Sequence, residues 1–342
     1  MTLTASLTSL ANHGIGLRTP KGETVSRDPK VTVVLPVYRE PVDVIKRAAD
    51  SIDGQTYGNI STLVVLDDPD NLEARGFLEE YCGDRERFSL KVNERNLGLA
   101  SSLNSAIADI KDDCDLICRM DSDDIAHKER VEREVAYLSE HHLDLVGCFM
   151  NVVNEEGTFL YRADGLPTSA SEVAKALGYN NCVMHPTWLG KAEVLARGYR
   201  PIPLSEDYDF LLRLELDGCE IGNCPETLLD YTISSGSISR SSLFRQYLYQ
   251  RELTRTYREG KVADVEEVQH KVDDAWTPAR ERRFSSAYYQ MNAFLGSAGM
   301  TNRLAHVLSL IGTLFRSPWY VGKAYRLARV RLIARRKLRA LT

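Results

Sequence analysis

No apolar run in this 342-residue sequence approaches the ~20 residues that cross a bilayer, so a membrane span is not expected. The opening MTLTASLTSLANHG carries neither a basic segment nor a long apolar stretch, and a secretory leader is not expected from it. The seven cysteines are odd in number and include no CxxC pair, which argues against a disulfide framework or a zinc ribbon. They sit mostly inside apolar runs such as DLICRM and LVGCFM and read as reduced core thiols of a cytosolic protein. Internal repeats and low-complexity segments are absent. With a net charge of -5, nothing suggests nucleic-acid binding. Acidic residues are missing altogether from Arg316 to the C-terminus, where nine Lys and Arg give +9 against -14 for the rest.

What is present is a firm alternation of strands and helices. VTVVLPVY (31–38) reads as a buried strand, and Pro41 stands at the start of a helix with Ile45, Ala48, Ala49 and Ile52 at helical spacing. ISTLVVL (60–66), SLKV and DLICRM (115–120) are the next strands, each followed by a helical pattern; Val131, Val135 and Leu138 form the stripe after the fourth. This order implies an α/β fold with a mixed, mostly parallel, Rossmann-like sheet and flanking helices. Beyond Asp144 the alternation breaks. LDLVGCFMNVV and TFLYR flank a hairpin turn at Asn154–Gly157, SEDYDFLLRLELDG is a helix, and CEIGNCP and TLLDYTIS are two further strands. After Ser239 the chain reads as helices over roughly 241–258, 279–296, 302–315 and 319–340. The division expected is a loose leader over 1–29, a domain over 30–240 with halves at 30–143 and 144–240, and a helical extension over 241–342.

Polar clusters follow each of the first four strands: PVYRE, DDPDN, NERNLG and DSDD. Ligands of open α/β sheets bind beyond the carboxyl ends of the strands, so these clusters should meet in one crevice. Asp121, Asp123 and Asp124 crowd into four positions despite mutual repulsion. A helix N-terminus near Ile125 would account for Asp124 as a cap. A hard divalent cation would account for the others, although an EF-hand is excluded by Ile125 and Ala126. Asp67 or Asp68 could accept a hydrogen bond from a base N–H, and Asn96-Leu97-Gly98 offers a turn that approaches a sugar or phosphate.

LPVYRE, QTYGNISTLVVLDDPD, NLGLASSLNSAI, MDSDD with Arg130 downstream, HPTWLG and SEDYDFLLRLELDG occur in the order seen in glycosyltransferase family 2. The resemblance covers about residues 30 to 240 and implies the GT-A fold with inverting, nucleotide-sugar-dependent transfer. It implies that Pro36, Val37, Tyr38 and Glu40 border the nucleoside and that Asp68 or Asp67 holds the base, expected to be uracil. Asn96 and Gly98 fall in the family's sugar and ribose segment. Asp121, Ser122 and Asp123 match the DxD motif, with Asp121 and Asp123 toward sugar nucleotide and Mn²⁺ or Mg²⁺, and His185 matches a position that helps ligate the metal in some members. Asp207 is implied as the base that takes the acceptor proton, with Glu206 as its positioning neighbour. Trp188 is expected in the core, and Arg213 to pair with acids on its own helix. Two departures stand out. Thr232 follows Tyr231 where many members carry arginine, which would leave the diphosphate to Arg240 or Arg245, and DDPD replaces the usual DDGS.

The C-terminal stretch joins an apolar half to a cationic one. Leu327, Val330, Ala334, Leu338 and Leu341 can share a stripe flanked by seven Arg and Lys, with Trp319 and Tyr320 near the junction. That pattern suits a helix lying in an anionic membrane surface; packing on the acidic domain or a dimer contact are the alternatives. The function expected is metal-dependent transfer of a sugar from a nucleotide-sugar donor, expected to be UDP-linked, to a glycan or lipid-linked acceptor. Bacterial surface polysaccharide synthesis, at the inner face of the cell membrane, is the expected setting. The rival is a non-catalytic scaffold that binds nucleotide sugar with the same fold.

Overall fold

The computed structural model describes residues 28–233, 242–296 and 317–335. β1 (Val31–Val37), β2 (Ile60–Leu66), β3 (Phe88–Val92) and β4 (Leu116–Arg119) run parallel in the order β3-β2-β1-β4. Between them lie α1 (Val42–Asp53), α2 (Leu72–Gly83) and α3 (Leu99–Ile110). The strands alternate their β-branched side chains between two cores: Val33 and Leu35 face one, Val34 the other. Buried on both faces, such strands read as continuous apolar runs, which is why their ends were sharp in the sequence.

The second half continues the same sheet. β6 (Leu145–Asn154) pairs with β7 (Phe159–Ala163) across the expected hairpin turn. β8 (Leu189–Lys191) joins β4 and β6 antiparallel, and β9 (Ile221–Ile233) runs parallel to β6. Two expected strands are thus one, because a register shift opposite Cys148 and Phe149 lets β9 pass the exposed Pro225-Glu226 without ending. β5 (Ile125–Ala126) was not anticipated. It pairs antiparallel with Leu229–Asp230 of β9, and α4 (Arg130–Glu140) begins four residues later.

α5 (Ala170–Leu177), the short α6 (Ala192–Leu195) and α7 (Glu206–Leu216) complete this half. α8 (Leu243–Arg258), α9 (Val265–Ala275), α10 (Pro278–Gly296) and α11 (Pro318–Arg335) follow. α9 was missed by the periodicity, since only Val268 and Val272 on it are buried. One core runs from the sheet through Phe210 and Leu211 of α7 to Phe244 and Leu248 of α8 and Tyr320 of α11. Of the expected stripe of the last helix, Leu327 is exposed and Val330 is buried. Leu338 and Leu341, the leader up to residue 27 and the helix expected over 302–315 lie outside the described residues.

Candidate active site

Three parallel strands end in carboxylates or their partners. At the end of β2 the Asp67 side chain is buried and saturated. Its Oδ1 accepts from Asn93 Nδ2 (2.8 Å), Ser102 Oγ (2.6 Å) and Leu97 N (2.9 Å), and its Oδ2 from Gly98 N (2.9 Å). Gly98 sits at φ 77°, which suits glycine, and is held there by Asp67 and by Asn96 Oδ1 (2.9 Å). Asp67 therefore builds the Asn96–Gly98 loop with both of its oxygens. Asp68 is held by Arg39 Nε (2.7 Å) and the Asp70 N–H (3.2 Å), and the Arg39 hydrogen bond draws its carboxyl below the usual range. Arg39 also lies over the exposed Tyr38 ring (4.8 Å), whose N–H donates to Glu40 Oε2 (2.8 Å). Pro36 is half-buried and Val37 buried at this strand end. Asp68 is thus linked to Tyr38 through Arg39.

At the end of β4 the oxygens of Asp121, Asp123 and Asp124 converge within 4.8 Å of one another, with Ser122 buried between them. Asp124 is fully buried and does not cap a helix. β5 follows it instead, and its Oδ1 accepts from Thr232 N on β9 (2.9 Å). Its Oδ2 is buried without a hydrogen-bond partner. Burial, then Asp121 and Glu40, push the Asp123 carboxyl up to about 7, and burial with both neighbouring aspartates raises that of Asp124. A converging set of hard oxygens with one orphaned acceptor fits a divalent cation. Asp121, Asp123 and Asp124 would hold it.

His185 is not in this set. It opens a 3-10 turn, is buried, and its Nε2 meets the Tyr199 hydroxyl at 2.8 Å while its ring packs edge-on to Trp188. Burial and the charge of Arg119 hold it well below the usual histidine range, as a neutral ring. Trp188 lies in the core as expected, donating to Val183 O (3.0 Å).

Opposite stands the N-terminus of α7. Leu204 precedes it at φ 62°, an uncommon conformation for leucine, and its carbonyl is tied to Gln246 Nε2 (3.2 Å). Asp207 Oδ2 accepts from Asn181 Nδ2 (2.8 Å) and Oδ1 from the Tyr208 N–H (2.7 Å). Burial, then Glu206, push its carboxyl up to about 7. Burial likewise raises Glu206, against the pull of Arg119. Arg213 pairs with Asp209 (3.0 Å) on its own helix, as expected.

Comparisons with known proteins give the family and the fold. The glycosyl transferase family 2 profile matches residues 32–197. The O-antigen biosynthesis glycosyltransferase WbnJ of Escherichia coli is 30% identical over 240 residues, covering 66% of this chain and 91% of that protein. The chain belongs to glycosyltransferase family 2. An uncharacterized glycosyltransferase of Methanocaldococcus jannaschii is 29% identical over 236 residues, 68% of this chain and 81% of its own. Among solved structures, S. aureus TarS 1-349 in complex with UDP-GlcNAc superposes with a TM-score of 0.56 at 15% identity, covering 91% of this chain and 92% of that one. The mannosyltransferase PcManGT of Pyrobaculum calidifontis, with GDP-Man and Mn2+, gives 0.55 at 15%, covering 89% and 88%. The fold is GT-A.

Within this family 2 site, three residues went unread in the sequence. Arg119 is buried, forks onto Asp121 through Nη1 (2.9 Å) and Nη2, and its charge also reaches Asp123, Asp124, Glu206 and Asp207. Arg130, noted only as part of the motif, donates through Nη2 to the carbonyls of Arg119 (2.9 Å) and Pro186 (3.0 Å), backed by the buried Glu134. It pins the end of β4 to the His185 turn. Asn181 orients Asp207. An arginine just before DSDD was the only visible signal. Arg245 does not supply the missing diphosphate arginine: it pairs with Asp273 and lies over Trp276. Arg240 lies outside the described residues.

Proposed function

We propose that this family 2 glycosyltransferase moves a sugar, with inversion, from a nucleotide-sugar donor to a hydroxyl of a glycan or lipid-linked acceptor. The observation that carries this reading is the pairing of an acidic cation cradle at Asp121, Asp123 and Asp124 with an oriented, proton-accepting Asp207 on the facing helix. Mn²⁺ or Mg²⁺ bound in the cradle would stabilise negative charge on the leaving diphosphate. The chain's own groups do the rest. Tyr38, Glu40 and Asp68 border the nucleoside, with Asp68 as acceptor for a base N–H, and the Asn96–Gly98 turn, locked by Asp67, faces the sugar end. Arg119 keeps the Asp121 carboxylate in a fixed plane. Asn181 and the Tyr208 N–H hold Asp207 so that its oxygen takes the acceptor proton during attack from the face opposite the leaving group, a single displacement that inverts the anomeric centre.

A UDP-linked hexose is the favoured donor, supported by the TarS structure in complex with UDP-GlcNAc. The O-antigen enzyme and the amylovoran biosynthesis glycosyltransferase AmsE of Erwinia amylovora support a place in surface polysaccharide synthesis. Among the described residues no helix is long and apolar enough to cross a membrane. The cationic C-terminal stretch supports peripheral attachment to an anionic membrane at its cytoplasmic face. The test is a panel of nucleotide sugars with Mn²⁺. One donor should raise the melting temperature and release nucleotide when an acceptor or water is present. Binding without turnover against every acceptor would favour a scaffold, and no binding at all would end the proposal.

A further inference from the structure

A crevice of about 1010 Å³ lies between α8, α9 and α11. None of its lining residues belongs to the site described above. Arg251, Arg255, Arg258, Lys271 and Arg326 line it against only Glu252, Glu259 and Asp274. Arg251 pairs with Glu252, and Arg255 with Glu252 and Glu259, so two carboxylates answer these two charges locally. Arg258 and Arg326 differ. Arg258 Nε donates to Gly178 O (2.6 Å), and Arg326 donates to Tyr179 O, Gln250 O (3.1 Å) and the Thr254 hydroxyl. Arg329, one turn further along α11, donates to the Tyr179 hydroxyl (3.0 Å), and its Nε is buried with no partner. Arg258 and Arg329 both lie over the Tyr179 ring, at 4.6 and 4.9 Å. Three guanidinium groups thus gather around one tyrosine, and all their hydrogen bonds named here run to neutral oxygens.

The structural account of this cluster covers only part of it. Gly178 and Tyr179 follow the C-terminus of α5, whose macrodipole supplies a charge of about -0.5. Three cations exceed that several-fold, and Arg326 is held below the usual arginine range by burial and by the neighbouring Arg258. A group with several anionic oxygens on one centre would answer the surplus, and guanidinium forks match phosphate geometry. The same helix says where the phosphate comes from. Val321, Tyr325 and Leu332 of α11 recur at helical spacing and are 45, 55 and 57% exposed, and Tyr325 itself lines the crevice. Arginines in a crevice beside an exposed apolar stripe suit an amphiphile: phosphate in, acyl chains out.

We propose that Arg258 and Arg326 at this end of the crevice, with Arg329 beside them on the Tyr179 ring, bind the phosphate of an anionic lipid headgroup. This deepens, and rests on, the reading that the C-terminal stretch meets a membrane. The test floats the full chain, in EDTA so that the catalytic cradle plays no part, with vesicles of phosphatidylcholine alone or with phosphatidylglycerol. The wild type should float only with the anionic vesicles. The R258Q/R329Q pair, both outside the apolar core, should bind about thirtyfold more weakly, at about fivefold per cation near a charged surface. The charge-conserving R258K/R329K pair should also lose most of its binding, because lysine cannot fork onto phosphate. If the lysine pair floats like wild type, the crevice is not a headgroup site and the membrane reading survives on charge alone. If the wild type does not float at all, the membrane reading fails. Stabilisation by inorganic phosphate, lost in R258Q/R329Q, would then keep the crevice as a site for free phosphate; no such stabilisation would overturn both.

Discussion

Asp67 and Asp68 are neighbours in sequence, and the structure gives them opposite work, so replacing each by asparagine should separate stability from binding. In Asp67→Asn the amide oxygen can keep the three donors that now meet Oδ1, from Asn93, Ser102 and Leu97. The amide nitrogen then faces the Gly98 N–H, donor against donor, where Oδ2 now accepts at 2.9 Å. One bond to a charged group is lost, and the Gly98 N–H keeps only its bond to Asn96 Oδ1, which costs about 1.5–3 kcal/mol. Asp68→Asn loses only its tie to Arg39, whose side chain is 69% exposed, and a loop N–H. Equilibrium unfolding in urea with EDTA, followed by tryptophan fluorescence, measures both. Asp67→Asn should lower the midpoint clearly with an unchanged slope, whereas Asp68→Asn should unfold like wild type and weaken donor binding. An unchanged midpoint for Asp67→Asn, or equal destabilisation by the two, would refute the assignment.

Three further outcomes follow from the same geometry. Asp124→Asn should weaken Mn²⁺-dependent donor binding as Asp123→Asn does, since one of its oxygens lies in the cradle and its Oδ2 has no other partner; a variant that loses stability alone, with metal titration unchanged, would return Asp124 to a purely structural role. Arg130→Met strands the buried Glu134 and frees the carbonyls of Arg119 and Pro186, so it should cost about 3–5 kcal/mol in chemical denaturation, and a cost below 1 kcal/mol would contradict the clamp. The Asp207 carboxyl is raised to about 7 in the fold, so the carboxylate that serves as base is gained as pH rises through 7. Turnover should climb tenfold per pH unit below 7 and level off above it. For stability the sign is reversed: the raised pKa penalises the fold progressively between about 4 and 7. Without donor or metal, Asp207→Asn should therefore unfold like wild type at pH 4 and later than wild type at pH 8.

The first half of the fold was legible because β1, β2 and β4 are buried almost throughout and every strand stops at a polar cluster. Val33 and Val34 serve different cores, so nothing polar interrupts the run. Asp121 and Asp123, expected together at one strand end, do gather there, and Asp124 joins them. Asp124 was not, because the two-residue strand after it has no period of its own and its partner, Leu229–Asp230, lies a hundred positions later. The single long β9 was read as two strands because Pro225 and Glu226 look like a turn, and only its pairing with β6 carries it through. α9 hid among charges, with one buried valine per turn. Arg119 and Asn181 escaped for a different reason. Their roles depend on which carboxylate each meets, and Asn181 and Asp207 are brought together from separate elements by tertiary packing.

The account turns on Asp207 as the group that takes the acceptor proton. Its most direct test is the rate of nucleotide release by Asp207→Asn at saturating donor and Mn²⁺, with donor affinity measured on the same sample. A fall of about a thousandfold with donor affinity within twofold of wild type is the predicted result. A rate within tenfold of wild type would remove Asp207 from catalysis and the central claim with it.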